Sequence, residues 1–279
     1  MPDGDIFTSG KQLLLALLLL CSLPAGAGII PGAEAWEQWR PASDEQLMEV
    51  DHSAWGTLLD THLDASHPSG INRFDYRAVS PEHRALLESY LDDMSQVPVA
   101  RLTRKQQQAF WINLYNALTV KLILDHPNAD SIREIKDGWF SIGPWGREVI
   151  EVGGISLTLN DIEHRILRPL YEDARVHFAV NCASLGCPNL APQPYTAANL
   201  ESLYESGARA FINHSRGVDA GSRSLQLSSI FSWFKEDFGD DRSAVLLWLS
   251  QYAEPELAET LRSWKGPVRY DYDWRLNAP

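Results

Sequence analysis

The sequence predicts an α+β fold, helix-rich with a small antiparallel sheet. Three observations predict it. Residues 102–125 carry an apolar stripe at helical spacing, widened until it covers most of the helix surface. Residues 148–160 hold two alternating runs joined by Gly153-Gly154, a two-residue hairpin turn. The remaining helical and strand segments follow one another in no βαβ rhythm, which excludes a doubly wound parallel sheet.

Ser43 to Leu63 reads as the first helix, with Leu47, Val50, Trp55, Leu58 and Leu59 apolar. Pro81 to Val97 is the next, with its proline in the first turn. In the helix of residues 102–125, Trp111, Leu114, Tyr115, Leu118 and Leu122 fall at i, i+3, i+4, i+7 and i+11, and Pro127 lies beyond its end. After the hairpin, Asn160 and Glu163 read as a capping box opening a helix through Leu167. Val176 to Val180 reads as a short apolar strand. Tyr195 to Asn213 is helical, Ser224 to Ile230 a strand, Ser243 to Tyr252 a helix and Val268 to Trp274 a last strand.

Leu13 to Leu23 is almost purely aliphatic and is followed by Pro24-Ala25-Gly26-Ala27. Such a run before a small-x-small site is a secretory signal, and it falls short of the ~20 residues that span a bilayer. Residues 1–27 are therefore expected to be removed before Gly28, with Ala33 and Ala35 offering a second site before Trp36. The chain carries a net charge of −13, and Asp3 and Asp5 against Lys11 leave −12 for the rest. So acidic a surface argues against nucleic acid and anionic lipid as partners. No transmembrane span is expected, and the localisation is periplasmic or secreted.

With Cys21 in the leader, the mature thiol chemistry lies in Val180-Asn181-Cys182-Ala183-Ser184-Leu185-Gly186-Cys187-Pro188, just after His177. Cys182 as nucleophile needs a base, and histidine is the usual one. His177 is nearest in sequence, but positions five apart on a strand point to opposite faces, so the two meet only if the chain turns sharply at Asn181. His164 is an alternative. A second reading is a Cys182–Cys187 disulfide, structural or redox, which a turn at Gly186 and Pro188 would permit. A third is zinc on His177, Cys182 and Cys187. That spacing is not C-x2-C and no fourth ligand is evident, so no metal and no cofactor are expected.

Asn113 and Asn116 lie on one side of the long apolar helix and need partners for their amides. They are expected to hydrogen-bond loop backbone and fix the cysteine loop or the C-terminus; alternatively, one of them orients a histidine or donates to an oxyanion. Asp237, Asp271 and Asp273 read as solvated or turn residues, any of which could orient a histidine.

Several stretches resemble the domain of unknown function 547 family. They are Ala109-Phe110-Trp111-Ile112-Asn113-Leu114-Tyr115-Asn116-Ala117-Leu118, Leu159-Asn160-Asp161-Ile162-Glu163, the block from His177 to Pro188, Leu227-Ser228-Ser229-Ile230-Phe231, Asp237-Phe238 and Tyr272-Asp273-Trp274-Arg275-Leu276-Asn277. The resemblance implies a domain over residues 73–277, preceded by an N-terminal helical extension at 28–72. It also implies that the asparagine helix, the histidine segment and the cysteine loop share one domain. By analogy, a buried helix on an antiparallel sheet is papain- or transglutaminase-like, although there the cysteine opens the helix and precedes the histidine.

The expected function is a cysteine-dependent hydrolase or transferase acting on an amide or thioester. Cys182 and His177 would be catalytic, with Asn113, Asn116, Asn181 and Cys187 supporting. The ligand would be an unassigned small molecule or peptide. The alternative is a non-catalytic periplasmic binding or scaffold domain stapled by Cys182–Cys187.

Overall fold

Helix α3, Arg104–Asp125, is buried along almost its whole length and organises the larger part of the molecule. Its start is a capping box. The Thr103 hydroxyl accepts from the Gln106 N–H, and the Gln106 side chain accepts from the Thr103 N–H. Being apolar on nearly every side, the helix gains its stability from what packs around it rather than from one face. The computed structural model describes residues 31–41, 48–136, 138, 141–221 and 224–279. The aliphatic run of 13–23 and its cleavage sites before Gly28 lie outside those residues.

Ahead of α3 come α1 (Ser53–His62), the short pair β1 (Leu63–Asp64) and β2 (Arg73–Phe74), and α2 (Pro81–Ser95). The first expected helix starts ten residues later than its periodicity suggests. Met48 to Val50 has no regular structure, and residues 42–47 lie outside the described ones. The hairpin forms as expected: β3 (Glu148–Val152) pairs antiparallel with β4 (Ile155–Thr158). Gly153 and Gly154 have φ of 57° and 80°, a pair of values that only glycine adopts readily.

The Asn160 cap is not there. Asn160 is itself helical and its side chain makes no capping bond. The box sits two residues earlier: the Thr158 hydroxyl accepts from the Asp161 N–H, and the Asp161 carboxylate accepts from the Thr158 N–H and hydroxyl. Asp161–Leu167 is a π-helical segment that runs into α4, Arg168–Tyr171. Such segments add a residue per turn and often mark functional positions.

The expected strand at 176–180 is instead a 3-10 helix, Ala174–Phe178. Asp173 caps it by accepting from the Arg175 N–H. A short run of bulky apolar residues is ambiguous between strand and buried helix, and the cap decides it.

Beyond the cysteine loop, α5 is Leu200–Ile212 and β5 (Val218–Ala220) pairs antiparallel with β6 (Leu225–Ser228). Then come α6 (Ile230–Trp233), α7 (Lys235–Phe238), α8 (Arg242–Leu249) and α9 (Pro255–Ser263). Strand β7 (Val268–Asp271) pairs with β6 in parallel, so this three-stranded sheet is mixed. The core falls into two clusters. One gathers around α3 and includes Trp39 together with Trp55, Leu58 and Leu59 of α1. The other gathers around Phe178, Phe211, Phe231 and Phe238.

Candidate functional site

The asparagines of α3 build the frame of the site. Asn113 donates to the Tyr195 carbonyl at 2.8 Å and accepts from the Tyr195 N–H at 2.9 Å. Asn116 donates to the Ala179 carbonyl at 2.9 Å and accepts from the Asn181 N–H at 2.8 Å. Each amide thus substitutes for a missing backbone partner where the chain runs past the helix, which is the form in which a buried amide is tolerated. Asn181 continues the frame inside the loop, donating to the Pro188 carbonyl and accepting from the Ala183 N–H.

The chain does turn sharply here. Ala183 sits at φ 59°, in the left-handed region. Residues 273–277 form the back of the loop. The Leu185 N–H donates to the Arg275 carbonyl, the Gly186 N–H to the Asp273 carbonyl and the Asn277 N–H to the Ala183 carbonyl. A Cβ on Gly186 would lie 2.8 Å from the Asp273 nitrogen, so only glycine permits this approach.

The turn brings the two sulfurs within 2.8 Å of each other as free thiols, with no bond between them. The Cys182 N–H donates to the Cys187 sulfur at 3.0 Å. The Tyr272 hydroxyl lies 3.1 Å from the Cys182 sulfur and 2.8 Å from the Ser184 hydroxyl. Burial, reinforced by the thiols beside it, pushes the Tyr272 phenol far up, so it stays protonated and donates.

The two thiols differ. Cys182 donates to Cys187, and that bond together with burial pushes its own ionisation well up. Burial also opposes charge on Cys187. The bonds from the Cys182 thiol, the Tyr272 hydroxyl and the Cys182 N–H outweigh it and hold the Cys187 thiol below the ordinary range. Exposure runs the other way: Cys182 is half-buried and Cys187 buried.

His177 does not touch either thiol. Its Nε2–H donates to Asp237 Oδ2 at 2.6 Å, which leaves Nδ1 as the nitrogen able to take a proton. Glu163 Oε1 stands 3.8 Å from that nitrogen. The ring stacks on Phe234 with centroids 4.2 Å apart. Asp237 is gripped from the other side by Arg168, whose Nε and Nη2 reach its two oxygens at 2.6 and 3.0 Å. Arg168 also donates to Glu236 and to His164 Nδ1. Burial acts against charge on Asp237, but the bonds from His177 and Arg168 prevail and hold it down at about 2. His164 is pushed down by burial and is neutral near pH 7.

Asp237 is thus ionised in the fold at pH values where the unfolded chain, with its ordinary 3.8, is protonated. A depressed carboxylate gives stability that is fully present above the unfolded value and lost as pH falls through the folded one. The melting temperature of the wild type is expected to fall more steeply between pH 4 and 2 than that of Asp237→Asn. Equal slopes in that window would show that this carboxylate is not the source.

Cys182, Cys187, His177, His164, Glu163 and Tyr115 all line one cavity of about 490 Å³, within the range of small-molecule sites. The rest of its wall includes five aromatic rings, those of Trp145, Trp233, Phe234, Tyr272 and Trp274. Cys182 and His177 therefore share a chamber rather than a hydrogen bond. Among the described residues, no three His, Cys, Asp or Glu side chains group so as to hold a metal ion.

Several of these residues escaped the sequence reading. Glu163 read as a capping residue, Asp237 as a turn residue that could orient a histidine, and Tyr272 only as part of a motif. Arg168 and the tryptophans of the wall were not singled out. The spacing of His164 and Arg168, one helical turn apart, and the proximity of Asp237 to Phe234 and Phe238 were the available signals.

Residues 99–212 match the model of the family described as "Protein of unknown function, DUF547". This stretch, which is similar to that family, includes the asparagine helix, the histidine segment and the cysteine loop. No curated protein and no solved structure matches the chain. Among the described residues, no helix is long and apolar enough to cross a membrane.

Proposed function

We propose that the protein is an exported cysteine-dependent enzyme that transfers or hydrolyses an acyl group from an amide or thioester. The observation that carries this reading is the thiol pair itself. Two free sulfurs, one of them acidified, line the same cavity as a histidine held by a half-buried aspartate. Cys187 would hold the thiolate, with Tyr272 and the Cys182 N–H supplying the donors that stabilise it.

In the reaction, the Cys187 proton would pass to His177 Nδ1, the thiolate would form an S–C bond to the carbonyl carbon, and the carbonyl electron pair would move to oxygen. The oxyanion would collapse with loss of the amine or thiol, which leaves with a proton delivered across the cavity by His177. Water or an acceptor nucleophile would then give up a proton to His177, attack the acyl-thiol carbon and release the thiolate. Export fits the aliphatic run before Gly28. Cleavage there would also retain Pro31, which lines the cavity, and Glu34 and Trp36, whose N–H groups bond the carbonyls of His164 and Arg165.

The 2.8 Å sulfur separation favours a second reading, in which an exported scaffold carries the pair as a disulfide. Two thiols would then lose two protons and two electrons to a disulfide-type oxidant of the compartment. Reduced protein mixed with a small acyl thioester separates the two. Intact mass should show one added acyl group, retained longer in His177→Ala because its hydrolysis lacks a base. A pair that stays bridged under mild reductant, or a reduced pair that takes up no acyl group, supports the scaffold and ends the enzyme reading.

A further inference from the structure

The fixed charge on the cavity wall is of one sign. Among the described residues, no lysine or arginine lines it, and Glu163 is its carboxylate. Arg168, the nearest guanidinium in the surrounding network, is committed to Asp237 and Glu236 and lies over Phe234 at 4.8 Å. His177 stands 3.8 Å from Glu163, but its short bond is to Asp237. Even with His177 protonated, it and Arg168 face three carboxylates, Glu163, Asp237 and Glu236, so negative charge remains. The chain as a whole carries −13. A carboxylate or phosphate group entering this chamber would meet no lysine or arginine to receive it.

The aromatic wall points the same way. Trp145 and Trp233 both contact Trp274, with centroids 5.7 and 5.5 Å apart, and Tyr272 joins them at 4.5 Å from Trp274. This cluster already holds one cation: the Arg133 guanidinium sits 5.1 Å from the Trp274 ring centroid. Indole faces carry the negative end of a quadrupole and attract cations most strongly where water is excluded.

We propose that the substrate enters this cavity bearing an organic cation, an alkylammonium group set against the Trp145, Trp233 and Tyr272 rings with Glu163 as its counter-charge. The assignment names the substrate class of the acyl-transfer site and rests on that reading for the site's use. The binding preference itself needs no thiol chemistry.

The test therefore uses the doubly substituted Cys182→Ser, Cys187→Ser protein, followed by tryptophan fluorescence. Three probes of one shape are titrated: choline, its neutral isostere 3,3-dimethylbutan-1-ol, and the anion 3,3-dimethylbutanoate. Choline should bind about tenfold or more tightly than the neutral isostere, with the anion weakest. Glu163→Gln and Trp233→Leu should each erase most of the preference. A neutral isostere that binds as well as choline overturns the proposal. So does a choline preference that survives both substitutions, or the absence of choline binding. If Glu163→Gln fails to fold, Trp233→Leu carries the comparison alone. Absence of acyl transfer by the reduced wild type, with the choline preference intact, would sink the enzyme reading and leave the cation site standing. The reverse result would sink this proposal alone.

Discussion

Cys182→Ser retains a thiol that iodoacetamide alkylates readily at pH 7, whereas Cys187→Ser retains one that reacts about tenfold or more slowly. This is the expected outcome of the asymmetry between the sulfurs. A serine at 182 still offers an O–H and keeps the backbone N–H that points at the Cys187 sulfur, so the anion at Cys187 keeps its donors. Cys182 without its partner remains half-buried beside Tyr272 and Ser184, with no charge to favour its ionisation. The reactive species is the thiolate, so the rate follows the fraction ionised. The pH profile of alkylation should move to lower pH in the first variant and to higher pH in the second. The opposite order would return the reactive role to Cys182, the more exposed of the two.

Asn116→Ala is expected to destabilise the protein by about 2–5 kcal/mol, since two buried backbone groups lose their partner at once. The Asn181 N–H and the Ala179 carbonyl are both satisfied by this one amide. Neither has an alternative on α3, whose own backbone is already paired. A total stability of roughly 5–15 kcal/mol makes such a loss a large fraction of the whole. Chemical denaturation of the variant and the wild type gives the difference directly. A change below about 1 kcal/mol would mean that the loop recovers those bonds elsewhere. The effect on thiol reactivity should exceed the effect on the melting curve, because the residue freed is the one next to Cys182.

The two asparagines were legible in the sequence because polar side chains in a helix apolar on all sides must find partners. Their partners could be guessed as loop backbone for the same reason. The hairpin was legible because Gly153-Gly154 admits little else. His177 was legible as a site residue and not in its conformation: Val176 to Val180 has the composition of a strand, and the Asp173 cap that makes it a 3-10 turn is a single local bond. Its true partner, Asp237, lies sixty positions along the chain on α7, and no periodicity links the two. The Asn160 cap failed for a subtler reason. Thr158 and Asp161 form the same reciprocal pattern two residues earlier, and a π-helical start shifts the register by which caps are recognised.

The contact between Gly186 and Asp273 has a consequence for the order in which the molecule is made. The helix that frames the thiol loop is synthesised long before residues 273–277, yet the Leu185 and Gly186 N–H groups and the Ala183 carbonyl close on that later segment. A nascent chain stopped short of Tyr272 could collapse its apolar core while the two cysteines remained on an unbacked loop. If the chain is exported as proposed, the thiols would meet an oxidising compartment first and their hydrogen-bonding partners afterwards. The late segment therefore works as a latch: it sets the moment at which the sulfurs pass from open chain chemistry to the geometry of a site.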